Sequence, residues 1–510
     1  MQRITDITIL QARATKLEGR TTAVETKNNA QGTARGALDT RAATLEASMA
    51  DLWRIYNESE IPAVPPVTTP AYYVKKGGND SLDGLTDATA WATLAKGVSI
   101  LAPGDTLYVR GGTYLQTARL SISRSGTAAA PITVSSYPGE TAIISGDVNG
   151  SGATEATDTP GGSYQPLVSI GGSYVTLQNV EVCFAADYGI QMTGSHVTVS
   201  GCSIHHIWKA GILVSASYGT VDGCSVWLTS ERSRLGLGDT SGAISFGAVG
   251  DATPPGSAPY ATIRNNLVYH NAGEGILGMH TDYGLIEGNV CYDNWAVHIY
   301  PDRCPHTTTR GNLIYWTGDT YWAKRSSGVP GYTIANEDIQ GAYPAGHDVK
   351  ILNNIMVGCE GGVSFWSTGT ASSLVNYLIA GNTIVNSRLN GINIPTGTTA
   401  HSGTRIVGNL VYQPGGSSPG SVGTATGLTF DHNLWSRSPA AGCSGTGDVV
   451  ANPLLVAPNT SVVAGQVLAA WYKLTSSSPA RGAGVAHADL TEDYFETARS
   501  DPPDMGAHEY

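Results

Sequence analysis

The chain has 510 residues, 41% hydrophobic and only 14% charged, with 63 glycines and a formal net charge of −12. That length and apolar fraction can fill a long core, and the acidic balance argues against wholesale nucleic-acid binding. The sequence holds no apolar run of about 18 residues, so no transmembrane helix and no membrane insertion are expected. Its start, Met1-Gln2-Arg3-Ile4-Thr5-Asp6, lacks the apolar stretch of a secretory leader, and none is expected. Seven cysteines, an odd number without small-domain spacing, argue against a disulfide framework.

Residues 1–56 follow a heptad. Ile7, Leu10, Leu17, Val24, Leu38, Leu45, Met49 and Leu52 fall on its a and d positions, which predicts a coiled-coil stalk. The middle layers, Asn28, Gln31 and Arg35, are polar, and Gly19, Gly32 and Gly36 weaken the helix there. Polar layers cost stability and fix register and oligomer state. The alternative is a single amphipathic helix folded against the body. Residues 57–70 contain Pro62, Pro65, Pro66 and Pro70 and read as a stiff linker.

The body starts at residue 71. Tyr72-Tyr73-Val74 leads into Gly77-Gly78-Asn79-Asp80, and the spacing of Trp91, Leu94, Ala95 and Val98 predicts a short amphipathic helix. An open end of stacked strands exposes unpaired edges, so this helix is expected to cap the stack. Asp80, Asp83 and Asp87 do not have calcium-hand spacing and are read as turn and cap residues, with no metal or other cofactor expected in the chain.

From residue 177 onward one phrase recurs. Asn179, Cys202, Cys224, Asn266, Asn289, Asn312, Asn354, Asn382, Asn409 and Asn433 are taken as one register, with steps of 23, 22, 42, 23, 23, 42, 28, 27 and 24. Short β-branched runs such as Val197-Thr198-Val199 and Val349-Lys350-Ile351-Leu352 precede these residues. A second strand follows each one, and then a glycine opens a third strand, as in Gly211-Ile212-Leu213-Val214. Three short strands per repeat of about 23 residues predict an all-β parallel β-helix over 71–450, whose coils bury their inward side chains by stacking about 4.8 Å apart. The two steps of 42 are single coils with insertions. Cys202 and Cys224 are read as a stacked, reduced interior pair, and the Asn ladder as stacked turn hydrogen bonds.

Gly78-Asn79-Asp80, Trp91-Ala92-Thr93-Leu94, Pro103-Gly104-Asp105-Thr106 and Arg110-Gly111-Gly112-Thr113-Tyr114 together resemble the first coils of the pectate-lyase-like right-handed β-helix superfamily. Asn452-Pro453-Leu454, Ser478-Pro479-Ala480 and Asp504-Met505-Gly506-Ala507-His508-Glu509-Tyr510 resemble its closing segment, placed at 451–510. The resemblance spans residues 71–510 and implies the right-handed fold. With the stalk, the whole resembles a bacteriophage tail spike or tail fibre. That implies a homotrimer on the virion tail, made in the host cytoplasm, joined to a tail or baseplate protein through residues 1–56 and binding a host surface polysaccharide. Fold analogy alone does not fix chemistry.

The site is sought where third strands end. Counting from Asn266 gives Met279 and His280, and from Asn289 gives Asp302 and Arg303. Matching Ile334 to Ile299 brings Glu337 level with Asp302, so His280, Asp302 and Glu337 are expected on one column as the catalytic candidates. Arg303, Asp338, Glu274, Tyr300, Trp322, Lys324 and Arg325 are the substrate-binding candidates. Paired carboxylates suit glycosidic cleavage by general acid and base or nucleophile, and aromatic faces suit sugar rings. A lyase would instead draw on Lys324, Arg325 and Arg303, and strand-end capping by Asp302 and Glu337 is the structural alternative. His205, His206 and Lys209 are read as a solvated turn. The insertions, 228–242 with Glu231, Arg232, Arg234 and Asp239, and 316–331 with Asp319, Tyr321 and Trp322, are expected to flank the column as binding loops. A glycosidase-type depolymerase is preferred to a lyase. The rivals are a non-catalytic fibre subunit and, more distantly, a free lyase or epimerase.

Overall fold

The computed structural model describes residues 71–148, 165–234, 241–248, 255–337, 343–368, 373–395 and 400–510. The coiled-coil and linker expectations, Asp239 and Asp338 lie outside the described residues, as does the side chain of Arg234.

The body is a parallel β-helix built from three sheets of 13, 13 and 11 strands. Each coil contributes one short strand to each sheet in turn. Thr198–Ser200 in the first sheet, Ser203–Ile207 in the second and Ile212–Val214 in the third form one such round. Within each sheet, every strand between the two end strands pairs with the equivalent strands one coil before and after. The inward residues of these strands form one continuous core that runs from Val74 to Cys443.

The turn from the first sheet to the second explains the recurring phrase. Its first residue takes a left-handed backbone, with φ between 50° and 64°, at Asn179, Gly201, Gly223, Asn265, Gly288, Gly311, Asn353, Gly381, Gly408 and His432. Glycine and asparagine tolerate that conformation best, which is why they alternate there. The following residue points inward. From Asn266 to Asn433 it is always asparagine, almost wholly buried. Asn289 donates from both its backbone amide (2.9 Å) and Nδ2 (3.0 Å) to Oδ1 of Asn312, and its Nδ2 also reaches the Ile263 carbonyl. The ladder ends where Asn433 donates to Asp448. Each buried amide is thereby satisfied.

Asn179 is not a rung of this ladder. Ser200 pairs with Gln178 and Ser203 with Glu181, which sets Cys202 beside Val180 and Asn179 beside Gly201. The sequence register slipped by one because asparagine serves both the left-handed turn and the inward rung. Cys202 and Cys224 do stack in the interior as free thiols.

The first coil is covered by a helix, Leu94–Ile100, capped by Thr93, whose hydroxyl accepts from the Lys96 amide. Asp80 fixes the approach by accepting from the Ala92 and Thr93 amides and the Thr93 hydroxyl. Leu94 and Val98 are buried, while Ala95 faces solvent and Gly97 takes its expected place against the core.

Residues 451–510 do more than close the last coil. They run back over the outer face of the second sheet, where Leu455, Tyr472, Leu474 and Met505 pack on Tyr292, Tyr315, Val385 and Leu434. Gly506, at φ 92°, donates to the Gly408 carbonyl, and a Cβ there would lie 2.8 Å from Thr383 Oγ1. The Gly-Ala-His-Glu motif is thus a docking sequence. No helix among the described residues is long and apolar enough to cross a membrane.

Both long coils widen on either side of their third-sheet strand. The excursions are 230–243 and 248–261 around Ile244–Gly247, and 316–331 and 337–349 around Tyr332–Asn336. A plain coil spends only 293–298 and 303–307 on the same turns. In these two coils the extra chain flanks the third-sheet strand on both sides, and the turn from the first sheet to the second keeps its plain length.

Candidate functional site

Strand alternation dictates what the outer face of the third sheet presents. In Ile299–Asp302, Ile299 is buried in the core, so Tyr300 and Asp302 point outward. Tyr300 lies beside Leu277 of the preceding coil, and Asp302 lies between Met279 and Ala335. Leu213 and Leu277, with Tyr188, Met279 and Tyr300, make an apolar floor on this outer face.

The carboxylates gather at the end of that floor. The Glu337 backbone amide donates to Asp302 Oδ1 at 2.8 Å. The Glu337 carboxylate accepts from Trp366 Nε1 at 2.6 Å and lies near enough to the Tyr300 phenol to perturb it. Glu274, 7% exposed, stands just ahead of Ile276–Met279, and its Oε2 has no hydrogen-bond partner among the described residues. Lys324 is anchored by its amide to the Trp295 carbonyl and holds its ammonium 5.3 Å from that indole ring. Arg325 pairs with Glu360 at 3.5 Å.

These groups perturb one another. Burial pushes the Asp302 carboxyl up to about 7; the Glu337 charge adds to the rise, while the Glu337 amide and Arg303 oppose it. Burial also raises Glu274, with Lys324 and Arg325 pulling it down and Glu337 pushing it up. The Tyr300 phenol is driven far above its usual range by burial, then by Glu337, Asp302 and Glu274. Tyr300 therefore remains a hydrogen-bond donor at any physiological pH. A carboxyl that titrates near neutrality beside a second carboxylate is a unit for proton transfer.

The expected column needs correcting. Ile299 pairs with Tyr332 and Asp302 with Ala335, so Glu337 sits two residues beyond the level of Asp302. Matching the two isoleucines failed because Tyr332, not Ile334, opens that strand's inward set. His280 is beside Arg303 rather than Asp302. It is fully buried, its Nε2 is 3.8 Å from Asp302 Oδ2, and its ring stacks on Tyr343. Arg303, 5% exposed, donates to the Tyr343 carbonyl and is wall rather than ligand-facing surface. Trp322 is buried against His270, the residue that follows a second-sheet strand, with ring centroids 5.2 Å apart. Tyr321 is the exposed ring of that insertion.

Glu274, Tyr300, Asp302, Glu337, Lys324 and Arg325 do come together. Trp366 was missed. It pairs with Ala335, is 52% exposed and holds Glu337. The available signal was its outward position one coil past the carboxylates.

The smaller cluster is also bonded. His205 contacts Glu181 and His206, and Lys209 pairs with Asp187. Among the described residues, two groups bring three metal-binding side chains within reach of one another: Glu181, Cys183 and His205, and His306, His347 and Asp348. Neither includes Asp302 or Glu337.

Three stacked parallel sheets, asparagine-laddered turns and an elaborated third-sheet face define a parallel β-helix, and two right-handed β-helix families match separate stretches of it. The family described as Pel9A-like, right handed beta helix region matches residues 72–239, and that described as right handed beta helix region matches residues 244–411. Over 83 residues the chain is 39% identical to pectate lyase PEL9 of Emericella nidulans, a stretch covering 16% of this chain and 20% of that protein. The solved pectate lyase Pel9A superposes with a TM-score of 0.55 at 18% identity, covering 86% of this chain and 96% of its own. XylC, solved with xylose, gives 0.52 at 11% identity, covering 86% and 98%. These structural likenesses concern the fold.

Proposed function

We propose that the outer face of the third sheet, between the paired excursions, binds and cleaves a host surface polysaccharide. Residues 1–56 would carry this body as a homotrimeric tail spike. The observation that supports cleavage best is the buried Asp302 carboxyl, titrating near neutrality and bonded to the amide of the surface residue Glu337.

In this reading Glu337 touches the glycan. It gives a proton to the glycosidic oxygen as the C–O bond breaks. Water then adds its hydroxyl to the anomeric carbon and returns its remaining proton to the carboxylate. Asp302, which accepts the Glu337 amide, is a positioning partner, and its carboxyl, lifted by burial to about 7, can supply the proton. Trp366 offers an aromatic face to a sugar ring, and Lys324 and Arg325 offer donors to its hydroxyls.

The second reading is a lyase, favoured by the local identity with a pectate lyase. Lys324 and Arg325 would then have to neutralise a uronate beside the Glu337 carboxylate, with Arg325 already paired to Glu360. That charge balance favours a neutral glycan and hydrolysis. Incubation with capsule or lipopolysaccharide preparations separates the readings. Shortened chains without absorbance at the unsaturated-uronate band are expected. Shortened chains with it mean a lyase, and unchanged chains that still bind mean a fibre without chemistry.

A further inference from the structure

The turns from the third sheet back to the first carry a second feature, away from the carboxylates. Tyr174, His196, Tyr218, Tyr260, Tyr283 and His306 stack ring on ring, with centroids 4.4–4.9 Å apart. Each has a left-handed backbone, which turns its ring onto its neighbour's. At His306 the stack gives way to chelating groups. His306 Nδ1 is 2.7 Å from Asp282 Oδ1, and His306 Nε2 is 4.0 Å from Asp348 Oδ2. His347 Nδ1 is 2.7 Å from the same Asp348 oxygen.

We propose that His306, His347 and Asp348 form a binding site for a divalent transition metal of the zinc class, with Asp282 orienting His306. Two imidazoles and one carboxylate are a sufficient protein ligand set for such an ion, leaving a fourth position to water. One ligand atom from each lies within 4.8 Å of the others. Donors about 2.0–2.2 Å from a tetrahedral zinc lie roughly 3.3–3.6 Å apart, so the widest pair would close by up to about 1.5 Å through side-chain rotation. All three side chains are between 32% and 46% exposed, so that rotation meets no packed wall.

The Asp282 contact is the informative part. An Asp282 carboxylate occupying Nδ1–H of His306 leaves the Nε2 lone pair for the metal, the carboxylate–histidine–metal arrangement that fixes tautomer and ring orientation. Tyr283 stacked at 4.4 Å holds that ring in plane. On the other side, Asn376 Nδ2 donates to Asp348 Oδ1 at 3.1 Å, leaving Oδ2 toward the two imidazoles. Glu181, Cys183 and His205 are the poorer site, because burial raises the Cys183 thiol to about 12 and thiolate formation is needed for binding.

The test uses the full chain stripped by chelator and titrated with Zn²⁺ alone by calorimetry, with Co²⁺ absorption reporting coordination. One equivalent is expected in the wild type and in His205→Ala. His306→Ala, His347→Ala and Asp348→Asn should each lose it, with melting in metal-free buffer checking that they fold. Asp282→Asn should keep the stoichiometry and bind about 10–100-fold more weakly. No zinc uptake by the wild type, or loss of the equivalent in His205→Ala instead, overturns the proposal.

Discussion

The Glu337 amide donates to Asp302 Oδ1 at 2.8 Å, joining the residue just past one third-sheet strand to the last residue of the strand a coil earlier. The bond fixes the backbone of Glu337 against a buried carboxyl, while the Glu337 carboxylate accepts from Trp366 Nε1. The Asp302–Ala335 pairing makes it possible, because it places Glu337 where its amide turns back toward the earlier coil.

If that pair works on a glycosidic bond, Glu337→Gln should reduce polysaccharide turnover by at least about 100-fold, the range of a lost general acid or base. Asp302→Asn should lower kcat less and remove the limb of the pH–rate profile near 7. Reducing-end assays across pH 5–9 read both. Full turnover in Glu337→Gln would rule out the assignment.

Asp302 also makes a stability prediction. Its folded pKa of about 7 lies above the ordinary value of 3.8, so between those values the folded state holds a proton that the unfolded state has lost. Stability should therefore fall as pH rises through that window and level off above 7, by an amount on the order of 4 kcal/mol if the whole shift is realised. Asp302→Asn cannot ionise and escapes the loss. Its melting temperature should exceed that of the wild type by a growing margin from pH 4 to pH 8. A margin that does not change with pH would show that Asp302 is not buried in a raised-pKa state.

Trp366 gives a prediction for binding. Trp366→Ala removes an exposed ring and the donor to Glu337 Oε1. Glycan affinity should drop about tenfold, roughly 1.4 kcal/mol, with little change in melting temperature because the ring is half outside the fold. Calorimetry with a cleavage-dead Glu337→Gln background measures the binding alone, and unchanged affinity would move the glycan elsewhere.

The asparagine ladder predicts a stability effect with no change in activity. Asn312→Ala strips the acceptor from both the amide and Nδ2 of Asn289, deep in the core. Each buried donor left unpaired costs about 1–3 kcal/mol. The urea midpoint should fall accordingly, and an unchanged midpoint would mean that water replaces the rung.

Deleting residues 1–70 should leave the body folded, because solenoid stability is a sum of terms between neighbouring coils. Circular dichroism and thermal melting of the truncated chain check this, and sedimentation of both forms reports whether the heptads of residues 1–56 drive trimer formation.

The sequence by itself determined the solenoid. Its period, the alternation of glycine and asparagine at the left-handed turn and the inward asparagines all follow from one backbone demand repeated every coil, and repetition makes a local rule visible. It also identified Glu274, Tyr300, Asp302, Glu337, Lys324 and Arg325 as a group, because polar residues are conspicuous in coils that are otherwise apolar. Only the tertiary structure decided the register between Ile299–Asp302 and Tyr332–Asn336, since side-chain identity at one strand cannot reveal which inward residue its neighbour begins with. It also buried His280 and Arg303, turned Trp322 toward His270, and brought Trp366 to Glu337. Those outcomes depend on how chain from separate excursions folds back over one face, and such contacts between distant segments have no period for a sequence to display.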